Sequence, residues 1–293
     1  MSIKTRRGFT LIELLVVIAI LAILVGLVVV VASAMMKQAK STKDMGNHRT
    51  IGSATWSFAA DNKGMLLHPR TEPTGSGTPS TQEQIDRFWV AAHGDDIDGN
   101  ARVETVEGKQ VELLTALKDG AAYQYIGDVT VYQSPLDPTI GQIDQFVSGN
   151  TNIPTSRIRS YSLNAFVGVE GDEIVDVSTP LLVSTLTLSQ VPQPSNTMCS
   201  IGEQDKDGRN LNGWLVNPTT ANNFVDFPAF WDEGKVNVSY IDGSTGSIKL
   251  ESDALEAAWE SNGHNVTVDA GSMEYKQFKK IMLPGVIGSI LDQ

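Results

Sequence analysis

The feature that most constrains this chain is a run of 19 consecutive residues without a polar side chain, from Leu14 to Ala32. An α-helix rises about 1.5 Å per residue, so a helical run of this length spans roughly the hydrocarbon thickness of a bilayer. A secretory signal peptide has a shorter apolar stretch followed by a small-residue cleavage site. Here Ser33 and Ala34 lead directly into two methionines and Lys37. The sequence therefore predicts a membrane-spanning helix that is not cleaved at its far end.

The charges around this run do not decide its orientation. Three cationic residues precede the run and three follow it, so the excess of positive charge that marks the cytoplasmic side is nearly balanced. These residues are Lys4, Arg6 and Arg7 before the run, and Lys37, Lys40 and Lys43 after it. Because most of the 293 residues follow the run, we expect the N-terminus in the cytoplasm and the remainder of the chain on the other side of the membrane.

The overall composition narrows the classes of function. The formal net charge is -12 and the pI is about 4.7. A protein that binds a phosphate backbone needs clustered lysine and arginine residues, so we do not expect nucleic acid as a partner. The single cysteine, Cys199, allows no intrachain disulfide, and cysteine content therefore leaves the compartment open.

Two details distinguish the apolar run from a generic membrane anchor. The junction Arg6-Arg7-Gly8-Phe9 lies just before it, and Glu13 stands alone at its start. A carboxylate inside a membrane span is costly and is a functional candidate by default, although a carboxylate close to the interface can also reach water. The position of Glu13 taken by itself leaves both interpretations open.

The segment from Gly8 to Ile20 resembles the processing site of type IV prepilins and type II secretion pseudopilins. In that family a membrane prepilin peptidase cuts after the glycine on the cytoplasmic side and methylates the new N-terminal residue. The resemblance implies a cut between Gly8 and Phe9, N-methylation of Phe9, and a change of the formal side-chain charge from -12 to -15 as the leader leaves. The family's glutamate, fifth after the cut, falls on Glu13, whose carboxylate can pair with the freed amine of a neighbouring subunit.

The resemblance also implies a domain order and a set of partners. The predicted parts are a cleaved leader (1–8), a transmembrane and assembly half-helix (9–36), an amphipathic half-helix (37–61) and a globular extracytoplasmic head (62–293). The implied partners are prepilin peptidase, other pilin or pseudopilin subunits and, before assembly, inner-membrane lipid. Many relatives carry a proline where this chain has Val30, so no kink is expected there, and Gly26 is the remaining weak point of the helix.

The helix is predicted to continue past the span as an amphipathic helix. Apolar residues recur at helical spacing up to Ala59, and the sequence Asp61-Asn62-Lys63-Gly64 predicts an end near Asp61. The charged residues occupy the other positions, which predicts that they face solvent: Lys37, Lys40, Lys43, Asp44 and Arg49.

The rest of the chain predicts an α+β fold, in which the long helix packs on a head with an antiparallel β-sheet. Predicted helices are Gln82 to His93, Gln110 to Lys118 and Glu251 to Ser261. Predicted strands are Val129 to Tyr132, Ser160 to Val169, Leu181 to Leu188, Thr197 to Ile201 and Gly213 to Val216. The alternating residues around Val236 to Tyr240, the pair Asp242-Gly243 and the returning Ser247 to Leu250 predict a hairpin.

Several segments of the head resemble large pilin-like proteins of planctomycetes and verrucomicrobia. The segment Val131 to Pro138 is similar to one that usually reads Cys-Pro-x-Asp, with Ser134 in place of the cysteine. Two histidines that are common in that group are replaced here by Asp232 and Ser244. The Asp242-Gly243 pair is interpreted as a turn, because glycine tolerates positive φ.

Two acidic loops are candidates for calcium. Glu203, Asp205 and Asp207 alternate before Gly208, and a similar pattern lies in 95–99. Alternating oxygen ligands before a turn glycine resemble half an EF-hand loop, but neither loop has the closing bidentate glutamate. We favour a solvated acidic turn over a calcium site as the interpretation of these loops, and we expect no other cofactor.

The remaining residues give little support to catalysis. Four histidines are scattered without metal-site spacing and are expected on the solvated surface: His48, His68, His93 and His264. The sequence contains no Gly-x-Ser-x-Gly elbow and no P-loop, and Cys199 is expected to be a buried small residue. The leading hypothesis is a structural subunit of a pilus-like or pseudopilus filament and not an enzyme. The alternative is a membrane-anchored extracytoplasmic hydrolase that uses the motif only as an anchor.

Overall fold

The structure is a computed structural model of the chain. It describes residues 9–71, 81–92, 102–106, 109–140, 143–148, 151–156, 158–170, 184–204, 212–217, 223–232, 234–250, 253–262, 266–268 and 272–284. The chain divides into two compact units, one up to Thr42 and the other from Lys43 onward. One helix, α1, runs through the boundary between them.

Helix α1 extends from Leu11 to Asp61, 51 residues in all. Its last turn closes when the amide of Asn62 donates to the carbonyl of Phe58 and the amide of Gly64 donates to the carbonyl of Ala59. Lys63 and Gly64 then adopt φ values of 57° and 85°, which end the helix because a left-handed residue cannot continue it. The predicted end near Asp61 is confirmed.

The first unit consists of the apolar part of α1. Its most apolar 18-residue window has a mean hydropathy of 3.6, and none of that window is buried within the chain. By length and composition α1 can cross a membrane, and it is the one helix in the described part of the chain that can.

The second unit contains the remaining elements, numbered here in chain order. The helices are α2 (Gln82–Ile85), α3 (Leu114–Asp119), α4 (Tyr123–Ile126), α5 (Asp253–Asn262) and α6 (Met273–Met282), with short 3₁₀ turns at Val129–Tyr132 and Leu188–Gln190. The strands are β1 (Val103–Val106), β2 (Lys109–Glu112), β3 (Ile143–Ser148), β4 (Thr151–Ser156), β5 (Tyr161–Leu163), β6 (Met198–Gln204), β7 (Asn223–Phe224), β8 (Phe227–Pro228), β9 (Lys235–Tyr240), β10 (Thr245–Lys249) and β11 (Val266–Thr267).

An antiparallel sheet forms the centre of this unit. Its strand order is β10-β9-β6-β5, and β8 also pairs with β6. The predicted α+β class, with a long N-terminal helix on an antiparallel sheet, is confirmed. Three further two-stranded sheets are formed by β1 with β2, β3 with β4, and β7 with β11.

The two faces of the central sheet differ in chemistry. On β9, Val236 and Val238 belong to an apolar core that also contains Phe278 of α6. The alternate residues Asn237 and Ser239 are also buried, but on the side where they hydrogen-bond with polar groups of α1 or β6. Successive strand residues point to opposite faces, so one face of β9 is apolar and its other face is polar beneath α1.

Several predicted elements of the head are confirmed. The hairpin forms from β9 and β10, with Gly243 at φ 81° in its turn. The strand predicted from Thr197 is β6, and the helix predicted from Glu251 is α5. The C-terminal helix α6 has no counterpart among the predictions; Ser272 caps it by accepting a hydrogen bond from the amide of Tyr275.

The predicted helix from Gln82 is wrong beyond Ile85. Phe88 forms an isolated bridge with His68, and Phe88, Trp89 and Val90 are buried one after another, whereas a surface helix buries only one stripe. The predicted helix from Gln110 is also wrong in its first part, where β2 pairs with β1 before α3 begins.

Four predicted strands are wrong or shorter than expected. Val129–Tyr132 is a 3₁₀ turn, because the Asp128 carboxylate caps it by accepting from the amide of Thr130. The strand from Ser160 is confined to Tyr161–Leu163. The segments Gly213 to Val216 and residues 184–187 form isolated bridges only, and Leu188 begins a 3₁₀ turn; residues 181–183 lie outside the described part.

Candidate processing and assembly site

The start of α1 is closed by a reciprocal pair of hydrogen bonds between Thr10 and Glu13. The Glu13 amide donates to the Thr10 hydroxyl over 3.2 Å, and the Thr10 amide donates to Glu13 Oε2 over 2.8 Å. The Thr10 hydroxyl also lies 2.8 Å from the same carboxylate oxygen. Thr10 is the residue before the first helical one, so this is a capping box that satisfies donors left open at a helix start.

The capping box gives Glu13 a role within a single subunit. Its negative charge lies in the first turn, where it also complements the positive end of the helix dipole. Phe9, one residue before Thr10, is 77% exposed. Gly8 lies outside the described residues, so the predicted cut between Gly8 and Phe9 stays a prediction. The geometry places Phe9 and Glu13 within one turn of each other at an accessible helix end.

The apolar half of α1 exposes nearly all of its side chains. Val30 is 68% exposed, and its neighbours from Val28 to Val31 continue the helix without interruption. In the described part of the chain, a Cβ added at Gly26 would meet nothing within 4 Å apart from the adjacent backbone of its own helix. Such a surface is stable only against lipid or against other helices, because exposed apolar area of this extent is unfavourable in water.

The second unit begins with a buried hub around Asp44, which the sequence analysis placed on the solvent-facing side. That prediction is wrong, since Asp44 is only 4% exposed. Its Oδ1 accepts from the Ser134 hydroxyl and, over 2.7 Å, from the Tyr161 hydroxyl. Its Oδ2 accepts from Asn237 Nδ2 over 2.8 Å. Burial and the Asp44 carboxylate raise the pKa of Tyr161, so its hydroxyl remains a donor.

His48 lies one turn further along α1 and is fully buried. Its Nδ1 is 2.8 Å from the hydroxyl of Ser200, which is 2.6 Å from the hydroxyl of Ser239. Among the described residues its Nε2 has no hydrogen-bond partner, and it lies 3.9 Å from Asp44 Oδ2. Burial lowers the pKa of His48, and the Asp44 carboxylate opposes this effect only in part.

The prediction that the histidines are solvated is wrong for His48 and His68, both of which are buried. His93 and His264 lie outside the described residues. The sequence shows that Asp44, His48 and Thr55 lie on the same face of the helix as Ile51, but this spacing does not by itself show that the face is buried. These polar residues of α1 lie against polar groups of the central sheet.

The Ser200, His48 and Asp44 side chains occur in the order of a hydrolytic triad, but their geometry differs from one. The distance of 3.9 Å between His48 Nε2 and Asp44 Oδ2 is too long for a hydrogen bond. Ser200 is fully buried and also contacts Ser239. A substrate cannot reach this hydroxyl in the closed head, so the arrangement favours a structural role for these residues.

One member of the calcium candidate lies in the described part of the chain. Glu203 is buried at the end of β6, and its carboxylate accepts a hydrogen bond from Ser162. Asp205 and Asp207 lie outside the described residues, as does the second acidic loop, 95–99. The predicted calcium site therefore stays a prediction. Its three ligands would have to include the Glu203 carboxylate, which is buried.

The residues that depart from the resembled head pattern have structural partners. Ser134 donates to Asp44, as described above. Asp232 forms an ion pair of 3.2 Å with Lys235. The amide of Ser244 donates over 2.9 Å to the Asp242 carboxylate, which closes the hairpin turn. The interpretation of Asp242-Gly243 as a turn is confirmed. Cys199 is buried, as predicted.

The long apolar helix, its capped glutamate and the α+β head with an antiparallel sheet define a pilin-like architecture. Comparison with known families agrees with this class: residues 3–29 match the model described as the prokaryotic N-terminal methylation motif. The match supports a type IV pilin-like or pseudopilin-like protein that is a substrate of prepilin peptidase, and it is consistent with anchoring in the inner membrane. No curated protein and no solved structure matches the chain.

Proposed function

We propose that this chain is a structural subunit of a type IV pilus-like or type II secretion pseudopilus filament, assembled through its N-terminal helix. The observation that carries the proposal is the coincidence of the methylation motif at residues 3–29 with an apolar helix exposed along its whole first half. Exposed apolar surface of this kind suits lipid before assembly and neighbouring helices after it.

The proposal includes processing on the cytoplasmic side of the inner membrane. Prepilin peptidase would cut after Gly8 and methylate Phe9, leaving the second unit outside the membrane, in the periplasm or in an extracellular filament. Intact-mass and N-terminal analysis of protein purified from its host tests this step. A methylated Phe9 is expected, and a mature chain that still begins at Met1 would contradict the route.

Assembly is proposed to depend on the charge of Glu13, which pairs with the freed amine of Phe9 on a neighbouring subunit. The capping box offers a second explanation for Glu13, so the two roles must be separated. Glutamine also serves at this position of a capping box. Glu13→Gln therefore keeps the cap and removes the charge, whereas Thr10→Ala weakens the cap and keeps the charge.

We expect Glu13→Ala and Glu13→Gln to insert in the membrane but not to enter filaments, and Thr10→Ala to be incorporated. Membrane fractionation and immunogold microscopy of sheared filaments measure the two steps. Wild-type incorporation of Glu13→Gln would mean that the cap, and not the charge pair, is what assembly requires.

We also propose that the second unit has a structural and not an enzymatic task. The support is the buried position of Ser200 and His48, the most triad-like grouping among the described residues. Calcium is a separate question. A rise in melting temperature with excess calcium that a chelator reverses, and that Asp205→Asn removes, would establish the predicted site; an unchanged melting temperature would exclude it.

A further inference from the structure

The segment of α1 where the second unit begins is held by polar contacts, and the segment after it is held by apolar ones. Asp44, Asn47 and His48 are buried against hydroxyl, amide and carbonyl groups. From Ile51 onward the buried residues of the helix are mainly apolar and join the core that contains Phe58. The two titratable residues of α1 that are buried, Asp44 and His48, both lie in the first segment.

His48 is the group in this segment that is placed to respond to mild acid. In the neutral ring, a proton on Nε2 faces the Asp44 carboxylate and leaves Nδ1 to accept from Ser200. A second proton must go to Nδ1, which then becomes a donor, and Ser200 must turn its hydroxyl toward Ser239. The hydrogen bonds can rearrange, but the charge then lies on a fully buried side chain.

We propose that His48 is an acid sensor for the docking of α1 on the sheet: when it takes up a proton, the segment from Lys43 to about Thr50 detaches locally while the rest of the second unit stays folded. The energetic reason is the cost of a charge in a fully buried site, which exceeds the attraction of a carboxylate 3.9 Å away. Detachment hydrates the imidazolium. About two more turns of α1 are then available to neighbouring molecules.

Other titratable and charged groups face the same region and must be considered. In the described part of the chain they are Asp44 on α1, Asp137 before β5, Tyr161 on β5, Cys199 on β6, and the pair Asp232 and Lys235 near the start of β9. Burial raises the pKa of both Tyr161 and Cys199, so neither changes protonation between pH 5.5 and 7.5. Any effect of the carboxylates persists when the histidine is replaced.

The direction of the pH effect follows from the linkage between protonation of His48 and opening of the segment. A histidine whose pKa is lower in the closed form than the ordinary value of 6.5 stabilises the closed form above pH 6.5, and this contribution is lost as the pH falls. One proton that binds only to the open form, with a pKa of about 6.5, changes the opening equilibrium by at most about tenfold between pH 7.5 and 5.5.

Hydrogen–deuterium exchange of the full chain in detergent micelles measures this opening. We expect the protection factors of the amides from Asn47 to Ile51, corrected for intrinsic exchange, to fall up to about tenfold between pH 7.5 and 5.5. His48→Gln should abolish the fall. His68→Gln, at another buried histidine, should retain it.

Three results would overturn the proposal: no fall in the wild type, an equal fall in His48→Gln, or an equal fall in α6, which would indicate global unfolding. If His48→Gln does not fold, NMR titration of the wild-type imidazole decides the question. A pKa below 6.5 together with loss of Asn47 protection supports the sensor. A pKa at or above 6.5 with unchanged protection refutes it.

Discussion

The replacement Asp44→Asn tests whether the buried hub holds α1 on the sheet. The asparagine has the shape of the aspartate but offers one carbonyl oxygen and one NH₂ group. Its carbonyl can still accept from Ser134 and Tyr161, which both bond to Oδ1 in the wild type. If the Asn237 amide keeps its orientation, the new NH₂ group faces Asn237 Nδ2, which is also a donor. If that amide turns over, the Ser247 hydroxyl loses its acceptor, Asn237 Oδ1. In both cases the replacement costs a hydrogen bond in a buried site.

The hydrogen bonds of Asp44 set the size of the expected loss in the free energy of unfolding. A buried donor without an acceptor costs about 1–3 kcal/mol, and hydrogen bonds to a neutral acceptor are weaker than bonds to a carboxylate. We expect Asp44→Asn to lower the free energy of unfolding by about 2–4 kcal/mol, out of a typical total of about 5–15. Asp44→Ala leaves three donors without their acceptor and should lower the free energy of unfolding by at least about 3 kcal/mol. A cleft of about 10 Å³ beside Asp44, room for one water, limits that loss.

A compensating exchange makes this prediction specific. In Asp44→Asn with Asn237→Asp, the donor and the acceptor trade places, and the new carboxylate can still accept from Ser247, whose hydroxyl bonds to Asn237 Oδ1 over 2.6 Å. We expect the double variant to lose at least about 1 kcal/mol less than the sum of the two single variants. The formal net charge of the double variant equals that of the wild type.

Urea unfolding of the full chain in micelles, followed by tryptophan fluorescence, gives the free energies for this cycle. The slope with urea must stay constant across the four proteins for the comparison to hold. The reasoning is refuted if Asp44→Asn loses less than about 0.5 kcal/mol, or if the losses of the two single variants simply add.

Three further predictions concern other buried groups. Gly168→Ala should destabilise the chain strongly, because the φ of Gly168 is 82° and an added Cβ would lie 1.9 Å from a backbone oxygen. Gly127→Ala, at φ 69° and with nothing within 4 Å in the described part of the chain, should cost only the backbone strain. Thermal melting compares the two variants, and equal losses of stability would contradict the steric argument. Glu112→Ala should cost about 3–5 kcal/mol in urea, since it leaves buried Arg159 without its two 2.8 Å carboxylate bonds, and a loss below about 1 kcal/mol would count against this. Burial raises the pKa of the Cys199 thiol, so maleimide labelling at pH 8 should be slow in the native chain and fast in urea; complete native labelling within minutes would show that the thiol is accessible.

The elements that could be predicted are those whose signal is local. The end of α1 depends on Lys63 and Gly64, and the hairpin depends on its alternation and on Gly243. The wrong elements are those in which tertiary contacts override the pattern. Phe88 and Trp89 lie in a segment with helical spacing, yet both are buried outside any helix, where Phe88 pairs with His68 and Trp89 stacks on Tyr132.

The candidate site divides in the same way. Phe9 and Glu13 were predicted from the motif, and the capping box adds a local role for Glu13 that the Thr10-x-x-Glu13 spacing encodes. The burial of Asp44 and His48 could not be inferred from α1 alone. Their partners lie in segments that are distant in the sequence. A polar helix face by itself predicts exposure to solvent, because the sequence does not show what packs against it.

The sequence by itself determined three features of the N-terminal segment: an apolar helix long enough to span a membrane, the junction at Gly8 and Phe9, and the carboxylate of Glu13. These depend on composition and on spacing within one helix, where side chains three or four residues apart necessarily meet. Only the tertiary structure decided that α1 is held first by polar and then by apolar contacts. That order depends on Tyr161 and Asn237, whose positions are set by strand pairing between residues distant in sequence.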